Sequence, residues 1–328
     1  VVSVWWWAFG YFACYAPYSA LAKALTAGLI NDVPAVSGNA ILPVTVLSST
    51  IGMYVLLTAL GWWKSATQFK VAGRSFPRPT RLTLLSGAAT STIVVTTTLA
   101  YTFEGISIVF AMLLMRGGVL VIAPVVDLLA KRHVRWFSWV ALALSVASLM
   151  FAFAGDGRFG ITVVAAVDII AYLASYFIKL RLMSSQAKSS DPETNKRYFV
   201  EEQMVATPLA LAMLAVVAVV GSDELRLGFT GLWHHPALPL IIFVGLLSQG
   251  TGVFGALILL SPQENTYCVP VNRASSILAG IVATSALALL WQRPWPGSSE
   301  WVGAALILAA IAVLSVPPLL SRQTAKAP

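Results

Sequence analysis

Residues 112–124 read MLLMRGGVLVIAP, inside an apolar run with no other charged residue from Ile106 to Val126. As an α-helix that run is about 30 Å long, the thickness of a bilayer's hydrocarbon core. Arg116 stands near its midpoint. An arginine at the centre of a membrane helix costs roughly 2.5–3.5 kcal/mol on insertion scales. Such a residue calls for a partner on another helix or for a ligand.

The rest of the chain belongs in the same medium. Of 328 residues, 58% are hydrophobic and 10% are charged, with a mean hydropathy of +0.81. Soluble domains carry about 25% charged residues, so this chain lacks the polar surface a water-soluble globule needs. Its net charge of +8 therefore reads as basic loops beside a membrane rather than as a nucleic-acid surface. Cys14 and Cys268 form no CxxC pair or disulfide framework. His133, His234 and His235 have no Cys or carboxylate at metal-ligand spacing, so neither a metal nor a cofactor is expected. The apolar run 4–30 is too long for a signal-peptide core and is expected to be a retained span.

Runs of about 20 apolar residues recur near 4–30, 40–63, 82–101, 105–130, 136–154, 160–182, 199–221, 237–260, 266–290 and 301–320. The fold class expected is an all-α integral membrane protein with ten transmembrane helices. All eleven tryptophans fall near the ends of these runs, at the headgroup level that indole prefers. Lys and Arg alternate with loop parity. Fifteen lie on one side (Lys64, Lys70, Arg74, Arg78, Arg81, Lys131, Arg132, Arg135, Lys179, Arg181, Lys188, Lys196, Arg197, Arg322 and Lys326), and three on the other (Arg158, Arg226 and Arg293). By the positive-inside rule both termini are expected in the cytoplasm.

Ten spans divide into two halves of five, 1–157 and 158–328, with a cytoplasmic loop at 183–198. An odd number of spans per half inverts the second half. The fourth and ninth spans echo one another: MRGGVLVIA and NRASSILAG place Arg116 and Arg273 157 residues apart. Inverted repeats around a midplane site are a common transporter design.

Helical spacing groups the polar residues. Val109, Arg116, Leu120, Ala123 and Asp127 share a face, with Asp127 three turns away and too distant to pair with Arg116. On the ninth span Thr266, Arg273 and Thr284 share one face, Asn265, Asn272 and Ser276 the neighbouring one, and Pro270 frees a carbonyl. Each arginine has two readings: an anion-binding fork, or a packing element paired across helices. Asp168, Tyr172, Ser175 and Lys179 align on the sixth span. Lys23 sits at a similar outer depth on the first, so a Lys23–Asp168 pair is expected, either as a gate or as a permanent brace; Asp168 is alternatively a proton-coupling carboxylate. Tyr11, Tyr15 and Tyr18 align on the first span, Ser86, Thr90, Thr97 and Tyr101 on the third, and Ser248, Gln249 and Thr251 sit mid-span on the eighth. The threonines are expected to bond their own preceding turn, whereas Gln249 needs a partner. Glu104 reads as a helix N-terminal anion.

MLLMRGGVLVIAP, the following LLAKRHVRWFSWVALALSVASL, and VPVNRASSILAG together resemble the drug/metabolite transporter superfamily. The first two resemble its EamA-like and nucleotide-sugar-transporter-like members, the third an element on the ninth helix of nucleotide-sugar and triose-phosphate translocators. The resemblance implies that Arg116, Asn272 and Arg273 contact an anion in a central cavity, with spans five and ten peripheral. Asn272 is followed by Arg rather than the usual Lys, and the double basic pair of triose-phosphate exchangers is absent.

The expected function is alternating-access transport of a small anionic metabolite. Arg116 and Arg273 would hold it, with Asn272, Gln249, Ser276, Tyr172 and Tyr15 around it and Lys23 and Asp168 as gating or coupling groups. The expected setting is a bacterial inner membrane. The expected partners are that metabolite and lipid, with no nucleic acid, and a homodimer is left open. Two alternatives stand beside it: proton-coupled export of neutral or cationic metabolites, and a membrane enzyme or scramblase acting on lipid phosphates. The last lacks an interfacial acid/base cluster.

Overall fold

The computed structural model describes residues 3–31, 33–71, 74–99, 108–152, 163–189, 191–295 and 298–324. Among these, ten helices of 17 to 29 residues coincide with the ten apolar runs: α1 (Val4–Thr26), α2 (Gly38–Ala59), α3 (Arg81–Leu99), α4 (Ile108–Leu129), α5 (Trp136–Ala152), α6 (Val163–Gln186), α7 (Pro192–Val220), then, after a short α8 (Asp223–Thr230), α9 (Leu238–Leu259), α10 (Asn265–Trp291) and α11 (Ser298–Thr324). Five of them (α2, α6, α7, α9 and α10) are long and apolar enough to cross a membrane. The exterior is apolar too. Val164, Val167, Ile170, Val216, Val219, Leu289 and Leu290 are all well exposed on helix surfaces, an outer face suited to lipid rather than water. The expected Tyr101, Glu104 and Arg158 positions and the 157/158 join lie outside the described residues.

Local sequence explains the helix starts. Ser3, Ser37 and Ser222 accept from backbone N–H groups of the first turns of α1, α2 and α8, the usual serine cap. In α7, Asp191 accepts from Glu193 N and Thr194 N, with Pro192 at the first helical position. The helix therefore begins two turns before residue 199. The expected loop 183–198 shrinks accordingly, because α6 runs to Gln186. The loop at 64–81 is also more ordered than expected. It holds β1 (Gln68–Val71) paired antiparallel with β2 (Arg74–Pro77), so Phe69 faces Phe76. Its alternating QFKV and RSFP are short strand patterns. Thr97 and Thr251 bond their own preceding turn as expected, as do Thr50, Thr92 and Thr96, whereas Thr90 donates to Glu202 on α7 instead.

The packing follows a consistent correspondence. α1 packs on α9 and α10, as α6 packs on α3 and α4. α2 lies against α9 as α7 lies against α3. α2 meets α7, α4 meets α10, and α5 meets α11. Close approaches repeat at corresponding positions of the two halves. A Cβ on Gly245 would stand 2.6 Å from the Thr45 carbonyl oxygen, and one on Gly87 3.0 Å from the Glu202 carbonyl oxygen. Each glycine lets its helix come within backbone contact of its neighbour. α5 and α11, tied by Ser148 Oγ donating to the Gly303 carbonyl at 2.7 Å, stand to one side of α10.

At the basic end of the bundle, α4 caps α10 from outside. Asp127 Oδ1 accepts from the Asn265 backbone N–H (2.9 Å) and its Nδ2 (2.8 Å); Oδ2 accepts from the Thr266 N–H (2.6 Å) and its Oγ1 (2.7 Å). The carboxylate thus supplies the cap that Glu264, at the N-cap position, does not. Glu264 instead takes a bidentate pair from Arg135 (2.9 and 3.0 Å) and a bond from Ser138 Oγ (2.7 Å).

Asp127→Ala leaves two buried N–H groups and two side-chain donors without acceptors, and is expected to lower stability by about 2–4 kcal/mol, with Asp127→Asn losing less; thermal unfolding in detergent measures both. Burial raises the Glu264 carboxyl, but the Arg135 and Ser138 bonds outweigh it and hold it below its ordinary range. The pair therefore stabilises above the unfolded carboxyl's titration range, and that contribution is lost as pH falls through the lower folded value. Glu264→Gln is expected to flatten the acid side of the unfolding-temperature profile.

Candidate functional site

A central cavity of about 270 Å³ lies among α1, α2, α3, α6, α7, α9 and α10. Ser49, Thr90, Thr207 and Gln249 line it from near the middle of their helices, and Asn272 and Arg273 from about two turns into α10. Among the described residues none from α5 or α11 lines it. A larger pocket of about 450 Å³ sits at the opposite end from the Asp127 cap, between α1 and α10, with Lys23, Thr284 and Arg293 on its wall. We take the central cavity as the candidate site because it gathers buried polar atoms that lack partners.

Arg273 dominates it. Its side chain is buried, its Nη2 donates to the Tyr172 hydroxyl at 3.4 Å, and its guanidinium stands 5.4 Å from the Tyr176 ring centroid. Nε has no partner, and among the described residues Arg273 forms no ion pair with a carboxylate. Tyr172 and Tyr176 lie on one face of α6, four residues apart, with ring centroids 4.9 Å apart. An apolar site that leaves a guanidinium without a counter-charge favours an anion.

Arg116 repeats this arrangement on α4. Its Nη2 donates to the Tyr15 hydroxyl at 3.3 Å, and Tyr15 stacks on Tyr11 with centroids 5.5 Å apart and planes at 12°. Tyr11 lines the cavity. Both Tyr–Arg pairs span 101 residues, and each member of the second follows its counterpart in the first by 157. The structure thus brings Arg273, Asn272, Gln249 and Tyr11 together at the cavity, while Arg116 and Tyr15 sit behind the Tyr11 stack.

Gln249 is where a mid-span amide was expected to need help. Its carbonyl accepts from Ser49 Oγ at 2.6 Å, and its Nε2 has no partner. Thr207 Oγ1 is likewise bare. Ser276 faces its own helix, donating to the Arg273 carbonyl at 2.8 Å, and so orients nothing in the cavity.

Two expectations are corrected. There is no Lys23–Asp168 pair: Lys23 is exposed at the outer pocket, whereas Asp168 is buried on α6, which packs on α3 and α4 rather than on α1. Asp168 Oδ2 has no partner. Lys179, expected among the loop cations, is buried in the cavity wall and pairs with Glu202 at 3.0 Å. Glu201 and Glu202 were missed because the charge tally counted bases only. Two adjacent acids inside an apolar run are themselves a signal. Glu201 accepts from Thr67, Thr80 and Thr83, fastening the hairpin and α3 to α7.

No protein-family model matches the chain, and no curated protein matches it. Among solved structures, one crystal structure of a protein aligns with a TM-score of 0.61 at 14% identity, covering 97% of this chain and 97% of that one. That likeness extends over the whole helical fold and concerns the fold alone.

Ser49→Ala removes the one donor to the buried Gln249 carbonyl and is expected to destabilise by about 1–3 kcal/mol. Ser49→Ala with Gln249→Leu, which removes both partners, is expected to recover most of that loss in thermal unfolding.

Proposed function

We propose that this chain is a secondary transporter that carries a small organic anion by alternating access. In this reading all ten long helices cross a bacterial inner membrane as two inverted repeats of five, with both termini cytoplasmic. The observation that carries it is Arg273: a buried guanidinium on the wall of a central cavity, with no carboxylate paired to it among the described residues. The common offset of 157 in the Tyr15–Arg116 and Tyr172–Arg273 pairs supports the repeat, and the Gly–carbonyl contacts recur at offsets of 158 and 157. Lys179 is offset by Glu202, so Arg273 leaves the cavity wall with one positive charge in excess and suits a monoanion.

The cavity's size bears on the ligand. Pockets for drug-sized molecules run from about 300 Å³ upward, so 270 Å³ favours a compact metabolite over a nucleotide sugar. Gln249 Nε2 and Thr207 Oγ1, both unpartnered, offer bonds to its polar body. Binding gives the Arg273 guanidinium a counter-charge and lowers the barrier to rocking one repeat against the other.

Arg273→Ala is expected to remove about 1.5–3 kcal/mol of anion binding, roughly 10- to 100-fold in affinity. Arg116→Ala is expected to weaken uptake less, through the Tyr15–Tyr11 stack. Uptake of labelled carboxylates, sugar phosphates and amino acids into liposomes measures both, and unchanged uptake in the two variants overturns the proposal.

A further inference from the structure

Lys179, on the cavity wall, is backed by a second charged group that neither Tyr–Arg pair explains. Glu202 on α7 is fully buried. Its Oε1 takes three donors: Lys179 Nζ at 3.0 Å, Ser86 Oγ at 3.1 Å and Thr90 Oγ1 at 2.6 Å. Its Oε2 has none. Lys179 and Thr90 line the cavity, and Lys179 Nζ also donates to Thr90 Oγ1 at 2.8 Å. The ammonium is therefore shared between a buried carboxylate and the space the ligand enters.

We infer that Glu202 is the proton-coupling carboxylate of this protein. An anion seated between Arg273 and Lys179 takes Lys179 as its counter-ion, Glu202 binds a proton on its bare oxygen, and one proton crosses with each anion. This rests on the transport reading above. A buried carboxylate stripped of its only cation is strongly penalised, and protonation is its way out. The charges balance: the anion adds one negative charge and the proton taken up by Glu202 one positive, so the site keeps the single positive charge it had when empty, and Lys179 stays an ammonium throughout.

Among the described residues the neighbours of Glu202 leave no other group to neutralise it. α6 presents Lys179, and α3 presents the hydroxyls of Ser86 and Thr90. Tyr198 on α7 reaches it only through Ser86 Oγ, at 2.7 Å. α2, also packed on α7, carries no charged residue. Glu201 points the other way, to Thr67, Thr80 and Thr83. Lys196 lies six residues before Glu202 and bonds Glu193, near Lys64 of the adjoining turn; Asp223, Glu224 and Arg226 are some six turns beyond. Tyr176, three residues before Lys179 on α6, and Arg273, beside the Tyr176 ring, also line the cavity. The pair is also one-sided: 157 positions earlier, the residues matching Lys179 and Glu202 are Ala22 and Thr45. The first half carries a Tyr–Arg pair but no equivalent of this ion pair.

The first test needs no known substrate. Lys179→Gln imitates the state in which the lysine has left. Infrared pH titration of the purified protein in lipid is expected to show a protonated carboxylic acid at neutral pH in Lys179→Gln that is absent from Lys179→Gln/Glu202→Gln. Identical spectra overturn the inference whether or not the chain transports anything. The second test uses liposomes with a trapped pH dye and gluconate as the probe anion. Wild-type protein is expected to acidify the lumen with gluconate uptake, and Glu202→Gln to take up gluconate without acidification. Gluconate uptake by wild type with no proton entry overturns the coupling while leaving transport standing. Loss of proton entry in Asp168→Asn with its retention in Glu202→Gln overturns the assignment to Glu202.

Discussion

Polar groups that enter the apolar body of this bundle cost free energy unless they find partners inside it. That constraint accounts for the arrangement of the helices. Asp127 is held on α4 by the free N–H groups of α10, and in return fixes where α10 begins. Glu201 is satisfied by threonines of the hairpin strap and α3. Lys179 and Glu202 satisfy one another between α6 and α7. Each pairing crosses between helices, so each fixes a contact that apolar packing alone leaves free to slide.

Against that background the exceptions stand out. Of the seven buried side-chain atoms without partners among the described residues, four (Arg273 Nε, Gln249 Nε2, Thr207 Oγ1 and Glu202 Oε2) belong to residues that surround or adjoin the same cavity. A structural core tolerates few such atoms, since each costs about 1–3 kcal/mol. Their concentration at one place is the physical basis for reading the cavity as a binding site. The tyrosines temper the cost. Tyr172 accepts from Arg273 and Tyr15 from Arg116, giving each guanidinium a neutral partner and leaving its charge uncancelled by that bond.

Much of the helical layout could be read directly. The apolar runs predicted the long helices, and Arg116 and Arg273 marked the two helices that meet near the centre. The tyrosine stripe on α1 and the amide of Gln249 were legible as polar atoms in apolar stretches. Glu201 and Glu202 carried the same signal and were passed over beside the basic tally. The DPET segment at 191–194 is a helix-start pattern, and it lay hidden in what read as a polar loop. The Lys23–Asp168 pair failed for a different reason. Equal depth on two helices says nothing about whether they are neighbours, and α6 packs on α3 and α4 instead of α1.

By itself, then, the sequence determined the medium, the length and number of the apolar segments, and which of them carry charge, because these follow from composition and from the 3.6-residue period of one helix at a time. Only the tertiary structure decided which charge meets which. It paired Lys179 with Glu202, set Asp127 on the end of α10, and left Arg273 without a carboxylate. Those outcomes depend on the order and rotation of helices far apart in the chain, where a turn of 100° per residue carries a side chain from the cavity to the lipid face.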